Sequence, residues 1–244
     1  MTNMHNNFSL PPAHISASIM CADLTALGQE AKRLEDAGVD SIHVDIMDGH
    51  FVPNLTFGPG TVGALRRATR LPLHVHMMVS NPVRHVAAFA QAGADLFYFH
   101  IEAEPYPLRL ASAINESGMK PGVAINPFTP LAALVDLPLP NVLVMSVEPG
   151  FAGQPWIPHT AGRLHELRAS LGSDVQIGVD GNVSEDNALL AYENGASLFV
   201  CGTSSVFAGD DYTAAVNQMR SRLQAGPRTV TSSGGDGPAG RPAT

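Results

Sequence analysis

Eight short apolar runs, each followed by a longer segment of helical periodicity, constrain this chain more than any other feature. The runs lie near Ile15–Met20, Ser41–Met47, Leu73–Met78, Leu96–His100, Pro121–Ile125, Val142–Ser146, Val175–Val179 and Leu198–Cys201. The intervening segments carry helix signals: Asp23 before LTALGQEAKRLEDAG, Asn81-Pro82 before VRHVAAFAQAG and Ser184 before EDNALLAYENG, with Gly38, Gly93 and Gly195 at the exits. The phrases DAGVD, QAGAD and ENGAS recur where a helix hands over to a strand, as a unit reused around a ring would require. Eight strands alternating with helices predict an α/β fold, a single closed (β/α)8 TIM barrel, ahead of an open doubly wound sheet. With 244 residues, 45% of them hydrophobic, one barrel over residues 13–223 is the expected domain. Residues 1–12 are expected to form a flexible N-terminus, and 224–244, rich in Gly, Pro, Ser and Thr, a disordered tail.

A barrel gathers the residues that end its strands, and the loops after them, at one mouth. The segment SIHVDIMDGHFVPN, Ser41 to Asn54, places His43, Asp45 and Met47 on one strand face. His76 in LHVHMM and Asp180 in IGVDGN also end apolar runs. His43, Asp45, His76 and Asp180 form a nitrogen and oxygen set suited to one divalent first-row metal ion, although a lone His-x-Asp on a strand is more often a hydrogen-bonded pair. On the same rule Met47, Met78, His100 and Met145 are candidates to line the pocket, the methionines as an apolar rim or simply as core. Asp45 and Asp180 come from the second and seventh runs and should face each other across the mouth. Opposed carboxylates suit removal of a proton from one face of a carbon and return of a proton to the other. A metal between them would polarise a carbonyl and stabilise the enediolate formed when the adjacent C–H is lost. Asp48, directly before Gly49, reads instead as a loop residue.

Phosphate binding has separate support. Gly150-Phe151-Ala152-Gly153, Gly181-Asn182 and Gly202-Thr203 follow the sixth, seventh and eighth runs, where barrels often cradle phosphate with backbone N–H groups and a helix N-terminus. Backbone donors also reconcile an anionic ligand with a formal charge of −8, which argues against a nucleic-acid surface. The lysines, Lys32 and Lys120, fall away from the carboxyl ends of the strands, so a Schiff-base mechanism is not expected. Cys21 and Cys201 form no CxxC pair and read as buried thiols. The start MTNMHNNFSLPP lacks a basic and apolar leader, and no run approaches a membrane span, so a cytoplasmic protein is expected.

The motifs Ser18-Ile19-Met20, HVDIMDGHFVPN, VHMMV, FHIE, NPFTP, VMSVEPGFAGQPWIP, VDGN and FVCGTSSVF, from about Ile15 to Phe207, resemble the ribulose-phosphate 3-epimerase family. The resemblance implies a catalytic divalent metal (Zn2+, Fe2+, Mn2+ or Co2+), a small ketose phosphate as substrate, and reversible epimerisation at its C3, D-ribulose 5-phosphate to D-xylulose 5-phosphate, in pentose-phosphate metabolism. It further implies that His43, Asp45, His76 and Asp180 bind the metal and that Asp45 and Asp180 are the two acid/base groups. Ser18, His76, Gly150, Phe151, Ala152, Gly153, Gly181, Asn182, Gly202 and Thr203 would contact substrate. It also implies a homo-oligomer.

Some positions depart from the family pattern. Asn182 stands where VDGG is usual, His74 where an Asp is usual, Cys201 where Ala is usual, and Met20-Cys21 where Leu-Ser is usual. IMC, PGFAGQPWIP and GTS look more like the allulose-6-phosphate 3-epimerase branch, which makes D-allulose 6-phosphate the alternative substrate. Two other classes stand beside the epimerase: a metal-assisted lyase or aldolase, which would break a C–C bond from the same enediolate, and a non-catalytic phosphate-binding barrel, which would have no need of metal ligands.

Overall fold

Each buried apolar run becomes a strand and each crossover a helix. The computed structural model describes residues 12–224. Its order is β1 (His14–Ser18), α1 (Leu27–Ala37), β2 (Ser41–Met47), α2 (Pro59–Ala68), β3 (Leu73–Met78), α3 (Val86–Ala92), β4 (Leu96–His100) and α4 (Pro107–Glu116), followed by β5 (Lys120–Ile125), α5 (Ala132–Val135), β6 (Asn141–Met145), α6 (Thr160–Leu171), β7 (Gln176–Asp180), α7 (Glu185–Glu193), β8 (Leu198–Cys201) and α8 (Tyr212–Gln224). The eight strands pair in parallel, in sequence order, and close when β1 meets β8 with Ile15 beside Phe199. The expected TIM barrel is therefore the observed fold. Residues 1–11 and 225–244, which hold nearly all of the expected flexible ends, lie outside the described residues, and α8 takes in Gln224.

The boundary corrections have local causes. The first strand stops at Ser18, and Ile19–Cys21 turn into a 3-10 helix closed by the Ala22 amide on the Ile19 carbonyl, which carries Met20 and Cys21 toward the mouth. Asp23 does not cap α1: its carboxylate accepts from the amide and hydroxyl of Thr25 in a local turn, and the helix begins at Leu27. Asn81 precedes a 3-10 turn over Pro82–His85, and α3 starts only at Val86. Ser184 does cap α7, accepting from the Asn187 amide. Gly38 and Gly93 end their helices at φ 82° and 90°, where a side chain is strained; α7 ends on Asn194, one residue before the expected Gly195. After β5 the helix shrinks to the single turn α5.

Two faces of the strands do different work. Outward-facing Ile15, Ala17, Ile42, Val44, Val75, Phe97, Val144 and Val179 pack against the helices in the main core. Inward, the barrel is divided. The wall from β1 to β3 is polar: the Ser41 hydroxyl donates to Ser16 Oγ at 2.7 Å, His14 Nε2 lies 2.9 Å from Ser41 Oγ, and the His14 and His74 rings stack. The wall from β4 to β8 is apolar below its mouth, a separate cluster of Leu96, Tyr98, Ala124, Leu143, Leu198 and Val200, with His100 and Asp180 at the strand ends. Glycines make room there: a Cβ on Gly122 would stand 2.4 Å from the Tyr98 ring, and one on Gly178 would lie 3.0 Å from Leu143 and Leu198 side-chain carbons.

Candidate metal centre and active site

Strand pairing sets the centre. Asp45 of β2 is in register with His76 of β3, His43 lies two residues earlier on the same face as Asp45, and Asp180 ends β7, with β8 and β1 between it and β2. His43 Nε2 lies 3.3 Å from Asp45 Oδ1 and 3.5 Å from Asp180 Oδ2; His76 Nδ1 lies 3.2 and 3.4 Å from the same oxygens. Ligands held at about 2.0–2.2 Å from a tetrahedral cation are separated by about 3.3–3.6 Å, close to these four distances. All four ligand atoms lie within 4.8 Å of one another.

The chemistry of the donor set agrees with a cation. Both ring nitrogens of His43 are buried without a hydrogen-bond partner, and its Nε2 faces two carboxylates at ion-pair distance. Burial alone would depress the His43 pKa, but the Asp45 and Asp180 carboxylates override it and push it up to about 10. His76 is likewise raised: burial opposes the proton, and hydrogen bonds to Asp180 and Asp45 favour it. Burial works against ionisation of both carboxylates, yet the imidazoles hold them below the usual carboxylate range. The centre thus sets two carboxylates against two imidazoles whose hold on a proton is strengthened, and a divalent cation would supply positive charge at the same place.

Ligands and pocket are arranged in depth. Asp45 and Asp180 reach the pocket, whereas His43 and His76 are wholly buried behind them. His100, expected at the pocket, also lies behind: its Nε2 is 2.9 Å from His76 Nε2, and its Nδ1 is 3.1 Å from Glu102 Oε2. The strand end carries it inward, and Phe51 from the β2–α2 loop covers its ring at 4.7 Å between centroids. Met47, Met78 and Met145 line the pocket as a rim, joined by Met20. Ser18 donates to Asp45 Oδ2 at 2.8 Å, leaving Oδ1 for the centre. Asp48 is structural, accepting from the amides of His50, Phe51 and Ser80.

The glycine loops complete the pocket wall. Gly150, Phe151, Ala152, Gly153, Gly181, Asn182, Gly202 and Thr203 all line the same pocket, and among the described residues no Lys or Arg does. Gly181 has φ 109°, and a Cβ there would meet Val147 Cγ2 at 2.5 Å, so this turn accepts only glycine. Asn182 adopts φ 47°, in the left-handed region that Asn tolerates better than most residues. The amides of Gly153, Gly181 and Asn182 donate to no backbone carbonyl among the described residues. The expected helix N-terminus contributes little: α7 is closed by Ser184 and opens with Glu185 and Asp186, so an anion here would rest on loop amides.

Sequence reasoning missed several residues that hold the site in place. Thr56 donates to the Asp45 carbonyl and accepts from the Met47 amide, fastening the β2–α2 loop to the end of β2. Asn54 Nδ2 donates to the Gly150 carbonyl at 2.9 Å, and Gln154 bridges the Glu148 and Phe151 carbonyls. Asn54 and Gln154 sat inside quoted motifs, but nothing in their spacing shows which carbonyl they meet. Glu102 had a usable signal, a carboxylate two residues beyond a strand-ending histidine.

Comparison with known proteins agrees with this geometry. The model of the Ribulose-phosphate 3 epimerase family matches residues 14–207. A ribulose-phosphate 3-epimerase of Bacillus subtilis is 43% identical over 212 residues, covering 84% of this chain and 97% of that protein. One from Methanocaldococcus jannaschii is 43% identical over 211 residues, covering 84% and 89%. Among solved structures, a 3-hexulose-6-phosphate synthase superposes with a TM-score of 0.65 at 16% identity, covering 86% of this chain and 99% of that one, a likeness of fold alone. Among the described residues no helix is long and apolar enough to cross a membrane.

Proposed function

This chain belongs to the ribulose-phosphate 3-epimerase family, a family of isomerases, and on that premise we propose that it interconverts D-ribulose 5-phosphate and D-xylulose 5-phosphate. One observation carries the reading: of the four clustered ligands, the two that reach the pocket are the carboxylates of Asp45 and Asp180, from strands separated by β8 and β1. His43, Asp45, His76 and Asp180 would hold one divalent ion of the Zn2+, Fe2+, Mn2+ or Co2+ type. When bound, that ion polarises the substrate carbonyl and offsets the negative charge that builds on its oxygen.

This chain's own residues do the rest. One carboxylate takes the C3 proton as the C–H electron pair moves into the C2–C3 bond and the carbonyl oxygen becomes anionic. The other carboxylate returns a proton to the opposite face of C3, the electrons flow back, and the stereocentre is inverted. Because the reaction is reversible, Asp45 and Asp180 exchange roles with direction. Ser18 keeps Asp45 oriented through Oδ2. The methionine rim keeps water from the anionic intermediate, and the loops at Gly150–Gly153, Gly181-Asn182 and Gly202-Thr203 receive the phosphate on backbone amides.

The deciding measurement is kcat/KM of metal-reconstituted protein for D-ribulose 5-phosphate beside D-allulose 6-phosphate, with solvent exchange of the substrate C3 proton followed in Asp45→Asn and Asp180→Asn. Preference for the pentulose and loss of exchange in both variants is the expected result. Preference for the hexulose would replace the substrate, and full exchange in either variant would remove the two-base mechanism. Cleavage products by NMR would point to a lyase instead.

A further inference from the structure

Behind the centre a line of polar groups runs away from the pocket: His76, His100 and Glu102, with Asn126 and Thr129 beyond. Its proton order follows from what each group can do. Glu102 Oε1 accepts from the Asn126 amide and the Thr129 hydroxyl, and Oε2 faces His100 Nδ1 at 3.1 Å. An ionised carboxylate only accepts, so His100 must carry its proton on Nδ1. His100 Nε2 then presents a lone pair, and the nitrogen 2.9 Å from it, His76 Nε2, must be the donor. To bind a cation His76 must present a bare Nδ1 between Asp45 and Asp180, and a proton kept on Nε2 leaves Nδ1 as that lone pair. His76 and His100 are wholly buried, and among the described residues no other hydrogen bond competes for His76 Nε2 or the two His100 nitrogens.

We infer that Glu102, which touches neither pocket ligand nor reacting atom, is the positioning residue that selects the metal-binding tautomer of His76 by way of His100. The inference rests on the metal-dependent reading above and goes beyond it, because it locates the choice of tautomer at a residue two hydrogen bonds from the centre.

An isosteric change separates this from simple packing. In Glu102→Gln the amide oxygen must stay where two donors converge, so the NH2 group faces His100 Nδ1 and donates to it. That moves the His100 proton to Nε2, makes His76 Nε2 the acceptor, and leaves His76 with N–H pointing at the centre. Thr129→Val removes one donor to Glu102 and leaves the proton order intact, so it controls for anchoring of the β5–α5 segment.

The test is Co2+ titration of metal-free protein, followed by its visible absorption, together with 15N imidazole shifts of the metal-free chains. Loss of an outer hydrogen-bond partner of a ligating His typically costs about 10–100-fold in metal affinity. Glu102→Gln should weaken Co2+ binding by at least about tenfold and show His100 protonated on Nε2, with circular dichroism and thermal midpoint near those of the parent, while Thr129→Val binds Co2+ as the parent does. Parent-like Co2+ affinity in Glu102→Gln, or equal losses in both variants, would overturn the inference while leaving epimerase activity of the parent standing. A parent chain that binds no Co2+ would overturn this inference and the metal-dependent reading together.

Discussion

Asn182 donates its side-chain amide to the carbonyl of Gln154 at 2.7 Å, so the turn after β7 holds the loop after β6. The same side chain accepts from the Ser204 hydroxyl at 3.0 Å and so reaches the loop after β8 as well. Where the family pattern places glycine, this chain joins three pocket loops through one amide. Asn182→Gly keeps the left-handed turn and removes both bonds. At about 1 kcal/mol net per hydrogen bond, the expected result is a rise of up to about tenfold in KM for the sugar phosphate, with kcat within about twofold. Steady-state kinetics decides; an unchanged KM would mean that the loops keep their places unaided.

Removal of the cation should abolish activity and lower the thermal midpoint together, because a ligand bound only to the folded chain adds about 2.7 kcal/mol at a hundred times its Kd. A chelated sample, dialysed and then titrated with Co2+ or Zn2+, checks this by calorimetry and by assay. Recovery of the midpoint without recovery of turnover would separate the structural from the chemical role of the ion.

Gly122→Ala tests the apolar wall. Its Cβ would stand 2.4 Å from the ring of Tyr98, which is wholly buried and has little room to withdraw. The expected loss is about 1–3 kcal/mol, read from the urea midpoint. Adding Tyr98→Leu should restore part of it, and strict additivity of the two changes would show that the clash is relieved elsewhere.

His74 gives the protein a pH dependence of known sign. Burial first, then the neighbouring His14 and His43, holds its pKa down to about 3, against an ordinary 6.5. Between those values the unfolded chain binds a proton that the folded chain refuses, so this contribution to stability is complete above pH 6.5 and is lost as pH falls below it. At about pH 5, unfolding of the parent should take up about one proton more than unfolding of His74→Phe. Calorimetry in buffers of different ionisation enthalpy measures the difference, and equal uptake would show that His74 is already charged in the folded protein.

What could be read in the chain and what could not divides along physical lines. The number and order of the strands and the clustering of His43, Asp45, His76 and Asp180 were legible because a period of two and a closed ring leave these residues few places to go. The start of α1 was not, because Asp23 can serve a local turn as well as a helix cap and only the backbone decides between them. His100 shows the limit of counting residues to a strand end: its position along β4 was right, but its depth depends on Phe51 and Glu102, which approach from loops. The bonds of Asn54, Gln154 and Asn182 join loops distant in sequence, and no periodicity encodes such a meeting.

The divided interior makes the barrel unequally open to sequence drift. Exchanging Leu96, Leu143 or Leu198 for another apolar residue of similar volume strands no buried donor or acceptor, whereas any apolar replacement of Ser16, Ser41 or His43 alters the polar side of the interior. Variation is thereby channelled into the apolar positions of the strands from β4 onward, with His100 and Asp180 the exceptions at their ends and Glu102 the exception in the loop after β4. The loops after β6, β7 and β8 line the pocket, so a lineage built on this interior can reshape the pocket wall while the polar strands that carry His43, Asp45 and His76 stay fixed.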